Sequence, residues 1–222
     1  MTEAVVFDMD GLMFDTERLT VSVVAQVEKE LGIPGLLSFG RTLVGVNAAV
    51  SKRLCFERYG PDFPYDAFIR RKRERTNALI EKNGVPVKPG LMELLRFLKR
   101  EGIRAAVATS TSRRYALPYL EKAGTTRYFD AVVCGDMLEK SKPDPDIYFK
   151  AAAALGVSPA VCMALEDSPN GIRSAHAAGM RTVMVPDLFE PDAQLKELLF
   201  ACVPTLSDVI RLLRKEKEGA EA

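Results

Sequence analysis

The chain has 222 residues, of which 31 are basic and 30 acidic, leaving a formal charge of +1. That length fits one large domain, or a core with a smaller insert, and 47% hydrophobic residues are ample for a buried interior. Near-neutrality argues against a dedicated nucleic-acid binder, and no apolar run reaches the ~18–20 residues that a membrane span needs.

In chain order, the first signal is the short apolar run at 4–7, which ends abruptly in Asp8-Met9-Asp10-Gly11. Similar strand-length runs follow at 103–108, 131–134, 161–165 and 182–185, each closed by polar or turn residues. Continuous apolar character suits strands covered on both faces of a parallel sheet. Helical spacing separates them. Leu91, Leu94, Leu95 and Leu98 form one stripe stopped by Gly102, and 145–155 and 169–178 are stopped by Gly156 and Gly179. Leu206, Val209, Ile210 and Leu213 make a last stripe, with Thr205 or Ser207 as N-cap, before a charged tail at 214–222 that is expected to fray. Strand and helix in alternation predict a doubly wound parallel α/β sheet, a Rossmann-like core.

The stretch 16–86 breaks the alternation. Leu19, Val23, Val27 and Leu31 share a helical face that stops at Gly32, and further helix is expected at 48–58 and 66–82. It reads as a helical domain inserted after the first strand, so that 1–15 and 87–222 form a discontinuous core. The run Arg70-Arg71-Lys72-Arg73-Glu74-Arg75 gives this insert a local charge of +4, a pattern that usually marks a solvated helix face.

Four cysteines (Cys55, Cys134, Cys162 and Cys202) are widely spaced, and His176 is the sole histidine, so a Cys/His zinc site is not expected. Met1 to Asp8 shows neither the basic region nor the apolar stretch of a signal peptide; a cytoplasmic protein with reduced thiols is expected.

Ligands of open α/β sheets bind beyond the carboxyl ends of the strands. That edge should collect Asp8 and Asp10, Thr109 and Ser110, Glu166 and Asp167, and Lys142 from the loop Lys142-Pro143-Asp144-Pro145-Asp146. Each has an ordinary alternative: Ser, Thr or Asp at such points can simply cap a turn or helix, and a lone lysine is usually solvated. Four motifs in order carry more weight. Phe7-Asp8-Met9-Asp10-Gly11, Val107-Ala108-Thr109-Ser110, Lys142-Pro143-x-Pro145-Asp146 and Leu165-Glu166-Asp167-Ser168-x-x-Gly171 together resemble the haloacid-dehalogenase superfamily, and within it the β-phosphoglucomutase-like branch with a helical cap after strand one.

The resemblance covers nearly the whole chain and implies phosphoryl transfer. It makes Asp8 the nucleophile, forming an aspartyl-phosphate, and Asp10 the general acid/base. Ser110, or Thr109 as runner-up, would bind phosphate, and Lys142 would neutralise the reacting groups. Mg²⁺ would be held by Asp8, Asp167, the Asp10 carbonyl and, directly or through water, Glu166. In the cap, Gly45 and Lys72 are the implied substrate contacts. The mutase pattern is not complete, because Val44, Ala48 and Thr20 stand where those mutases carry cationic or histidine side chains. The expected activity is therefore a Mg²⁺-dependent phosphatase acting on a small phosphorylated metabolite, with a sugar-phosphate mutase as alternative. A phospho-accepting receiver module, a different class, combines similar residue types but lacks a cap.

Overall fold

The computed structural model describes residues 1–43 and 48–221. The chain divides into two compact units, Met1–Phe14 with Val87–Ala222, and Asp15–Pro86. It first lays down β1 (Ala4–Phe7), every residue of which is buried. It then builds α1 (Thr16–Leu31), α2 (Leu36–Thr42), α3 (Ala48–Tyr59) and α4 (Tyr65–Asn83). From Val87 onward come α5 (Leu91–Glu101), β2 (Arg104–Thr109), α6 (Arg113–Lys122), β3 (Ala131–Cys134) and α7 (Asp146–Leu155). The remainder is β4 (Cys162–Glu166), α8 (Pro169–Ala177), β5 (Arg181–Met184), α9 (Ala193–Lys196), β6 (Ala201–Cys202) and α10 (Val209–Glu221).

The six strands form one parallel sheet in the order β3-β2-β1-β4-β5-β6. This is the doubly wound arrangement expected, and it differs from the 2-1-3-4-5 order of receiver-type sheets. Phe7 pairs with Val107 on one side and Leu165 on the other. The residues that follow, Asp8, Ala108 and Glu166, therefore share the carboxyl edge at the middle of the sheet. Below that edge, small side chains (Ala106, Ala108, Ala151, Ala152, Ala164) let α7 lie close to the sheet, with Tyr148 enclosed among them.

The strands at 104–109, 162–166 and 181–184 sit one residue away from the bounds that apolar character suggests. Ladder hydrogen bonds decide the ends: Ile103 donates its N–H to Leu98 at the end of α5 rather than to the sheet, whereas Glu166 pairs with Met184. The tail does not fray at 214. It is the last part of α10, tied down where Glu216 accepts from Thr2 N and Oγ1 at 3.1 and 2.7 Å and from Arg181 Nη1 at 2.5 Å.

The second unit has its own core. Val23, Val27, Leu36, Cys55, Phe63 and Phe68 pack together, with Tyr59 stacked on Phe63 at 5.1 Å. Gly32 ends α1 at φ 64, its N–H returning to Glu28 O, a left-handed stop that glycine takes without strain. Glu28 also accepts from Leu37 N at 2.6 Å, which fixes the start of α2. Among the described residues, no helix is long and apolar enough to cross a membrane.

Candidate active site

Lys142 is the hub of the carboxyl edge. Its Nζ lies 2.5 Å from Asp8 Oδ1, 2.6 Å from Glu166 Oε1 and 3.1 Å from the Ala108 carbonyl. All three of its ammonium hydrogens thus have acceptors, although the side chain is only 6% exposed. It leaves the loop before α7 next to a cis Lys142–Pro143 bond.

Glu166 is wholly buried and its two oxygens accept five hydrogen bonds. Oε1 takes Lys142 and the Tyr148 hydroxyl at 2.6 Å each. Oε2 takes Asp167 N, Ser168 N and Ser168 Oγ at 3.2, 3.4 and 3.2 Å. A carboxylate offers about four lone-pair sites, so this one is saturated. The fit depends on Gly171 in α8, where a Cβ would fall 1.9 Å from the Glu166 carboxyl carbon.

Burial pushes the Asp8 carboxyl up to about 8, Glu166 and Asp10 add to the rise, and Lys142 opposes it. Burial acts the other way on Lys142, but the pull of Asp8 and Glu166 prevails and holds the ammonium above its ordinary value. In the protein alone the lysine keeps its charge, and Asp8 is the member of the pair that can take a proton.

Asp8, Glu166 and Asp167 are buried, and each offers a carboxylate oxygen within 4.8 Å of the others. Hard oxygen donors at this spacing suit a divalent cation. Gly11 makes room for the arrangement: at φ +91 it carries the chain past Asp167, and a Cβ there would meet Asp167 Oδ2 at 2.2 Å.

On the other flank, Asp10 meets the loop after β2. Thr111 Oγ1 donates to Asp10 Oδ2 at 2.7 Å, and Thr109 Oγ1 lies 3.4 Å from the same oxygen while accepting from Thr111 N at 3.0 Å. Ser110 is exposed beside them.

Six of the residues singled out from sequence (Asp8, Asp10, Thr109, Lys142, Glu166, Asp167) are therefore gathered at one edge, with Ser110 at its surface. Lys72 belongs to the second unit, on α4, half-buried and 5.8 Å from the Phe68 ring; burial lowers its ammonium while Glu17 opposes. Its neighbours Arg71 and Arg75 both pair with Glu30 of α1, so part of the basic run is internally compensated. Gly45 and Val44 lie outside the described residues. His176 is exposed and contacts Leu198 O at 3.2 Å, and all four cysteines are free thiols. Sequence reasoning missed Tyr148 and Thr111. A tyrosine on an apolar helix reads as core, and Thr111 is one hydroxyl in a run of four.

The chain belongs to the haloacid dehalogenase-like hydrolase family, whose profile matches residues 5–185. It is 34% identical over 185 residues to the phosphorylated carbohydrates phosphatase of Thermotoga maritima, covering 82% of this chain and 83% of that one. With hexitol phosphatase B of Escherichia coli it shares 31% identity over 220 residues, 97% of this chain and 96% of the relative. The crystal structure of CbbY from Rhodobacter sphaeroides in complex with phosphate matches with a TM-score of 0.78 at 31% identity, covering 94% of this chain and 96% of that chain. Such relatives agree with the β-phosphoglucomutase-like branch that the motif order resembles.

Proposed function

We propose that this member of the haloacid dehalogenase-like hydrolase family is a Mg²⁺-dependent phosphatase that hydrolyses a small sugar or polyol phosphate through an aspartyl-phosphate on Asp8. The observation that carries the reading is the buried Asp8–Lys142–Glu166 chain beside Asp167, at the sheet edge where this fold class binds ligands. Relatives named as phosphatases of phosphorylated carbohydrates and hexitols support both the reaction and the substrate class.

Asp8 attacks phosphorus, and Asp10 delivers a proton to the departing oxygen. Lys142, a compact positive charge held on Asp8, offsets the approach of an anionic nucleophile to an anionic phosphoryl group. The Ser110 hydroxyl and the N–H groups at the start of α6 hold the phosphoryl oxygens. Asp8 and Asp167 are the side chains that would hold Mg²⁺, with the Asp10 carbonyl; Glu166, saturated by its own hydrogen bonds, holds Lys142 and the loop instead. When bound, the cation would withdraw negative charge from the phosphoryl group. The Asp15–Pro86 unit is the cap that selects the substrate, with Lys72 as its cationic contact. A cytoplasmic site of action fits the four free thiols.

A panel of phosphorylated sugars and polyols assayed for phosphate release with Mg²⁺ tests the proposal. Release within the panel that stops on chelation is expected. Glucose 6-phosphate formed from β-glucose 1-phosphate, with catalytic glucose 1,6-bisphosphate, much faster than free phosphate would overturn it in favour of a mutase.

A further inference from the structure

The loop after β2 does more than present Ser110. We infer that Thr111 is a positioning residue that holds the Asp10 carboxyl in the orientation from which it serves the leaving oxygen. The inference rests on the phosphatase reading above and adds to it a residue that neither the motifs nor the fold assign.

The observations form a short chain of contacts. Thr111 Oγ1 donates to Asp10 Oδ2 at 2.7 Å, closer than Thr109 Oγ1 at 3.4 Å. Thr111 cannot swing away easily, because its own N–H is held by Thr109 Oγ1 at 3.0 Å and its carbonyl accepts from Gly135 N at 3.1 Å. Gly135, just past β3, touches this loop so closely that a Cβ would fall 2.1 Å from the Ser110 carbonyl oxygen. Asp136 then fixes the next turn by accepting from Arg113 N at 3.0 Å. A rigid backbone therefore carries a hydroxyl to one oxygen of Asp10. A hydrogen bond on Oδ2 gives a side chain with two rotatable bonds a fixed point, and so constrains where Oδ1 points.

The chemistry makes that orientation matter. An Asp8 oxygen bonds to phosphorus as the bond from phosphorus to the ester oxygen breaks. The bonding pair goes to the leaving oxygen, which takes the proton from Asp10. Water then attacks the aspartyl-phosphate and gives a proton back to Asp10, while the phosphorus–Asp8 bond breaks with its pair returning to Asp8. An alkoxide leaves badly without the proton, whereas an aryl oxide such as 4-nitrophenolate leaves well without it. A defect in how Asp10 is aimed must therefore show in the leaving group.

The test uses T111V, which replaces the hydroxyl by a methyl group at equal size, with T111A as a smaller second variant and T111S as the rescue. Thermal midpoints check folding. kcat/KM, which reports phosphoryl transfer to Asp8, is compared for 4-nitrophenyl phosphate and for an alkyl ester, sorbitol 6-phosphate. General acid catalysis contributes on the order of 10²–10⁴-fold, so misaiming it should cost T111V and T111A about tenfold or more on the alkyl ester. The loss on the aryl ester should stay within roughly threefold, and T111S should match wild type on both. Equal losses on the two esters, or none, would overturn the role of Thr111 while leaving the phosphatase reading intact. A wild type that releases phosphate from neither ester nor any other would overturn both.

Discussion

The raised carboxyl of Asp8 has a measurable consequence for cation binding. In the metal-free protein, burial lifts this group from 3.8 to about 8, while Lys142 moves upward and keeps its proton. A cation that takes an Asp8 oxygen must therefore expel one proton from Asp8, and the apparent dissociation constant scales as 1 + 10^(8 − pH). The factor is about 2 at pH 8, about 11 at pH 7 and about 100 at pH 6, so half-saturating Mg²⁺ should rise roughly 50-fold between pH 8 and pH 6. The sign for stability follows from the same shift. An acid whose folded value is raised stabilises the metal-free protein below its unfolded value and loses that contribution as pH rises through about 8. Mg²⁺ should then raise the thermal midpoint more at pH 8 than at pH 6. Calorimetric titration at pH 6, 7 and 8, in buffers of different ionisation enthalpy, measures both the affinity and the released proton. A half-saturating concentration that moves less than threefold over this range, with no proton release at pH 6, would refute the reasoning.

Three substitutions probe the rest of the cluster. Asp8→Asn should abolish turnover at an unchanged fold, since an amide is too weak a nucleophile for phosphorus; more than a few per cent residual activity would count against a nucleophilic Asp8. Asp167→Ala should raise half-saturating Mg²⁺ by about tenfold or more, and an unmoved titration would leave Asp167 as a helix-terminus carboxylate. Gly171→Ala should destabilise by about 2 kcal/mol or more, although alanine ordinarily gains ~1 kcal/mol over glycine inside a helix, because the new Cβ displaces Glu166. A thermal midpoint that rises in this variant would show that Glu166 gives way at little cost.

How much of this was legible in the sequence depends on what fixes each feature. Five strands announce themselves because a parallel strand buried on both faces must be apolar throughout, as 4–7 is. Their ends are set by ladder partners far along the chain, so the apolar runs place 4–7 and 131–134 as observed but mislocate the other three by one residue. The two-residue β6 and the seven-residue α2 are too short to show a period, and they exist because of neighbours such as Glu28. The expected fraying of the tail failed for a similar reason: Glu216 looks solvated until Thr2 arrives from the other end of the chain and Arg181 from the start of β5. At the site, charged residues after apolar strands are conspicuous, and Asp8, Asp10, Lys142, Glu166 and Asp167 were all visible. What holds them was not. Tyr148 and Thr111 are ordinary residues made important by one hydrogen bond each, and Gly171 appears in its motif without revealing that a carboxylate occupies the space of its missing side chain.

The charge arithmetic of the cluster explains why its parts must act together. Asp8, Asp10, Glu166 and Asp167 bring up to four negative charges to one edge, and Lys142 is the ammonium hydrogen-bonded to two of them. A phosphate ester adds two more. In a buried setting such an excess is relieved either by a proton or by a second source of positive charge. The proton route neutralises Asp8, as its elevated value in the metal-free protein indicates, and a neutral carboxyl cannot attack phosphorus. Lys142 cannot supply the remainder, because its three hydrogens are already committed to Asp8, Glu166 and the Ala108 carbonyl. Positive charge brought by a cation on Asp8 and Asp167 would do what the proton cannot: lower the repulsion against the dianion while keeping the nucleophile ionised. A cation held there and a phosphate would then favour each other's binding, with Lys142 held beside Asp8 by its contacts to Asp8 and Glu166.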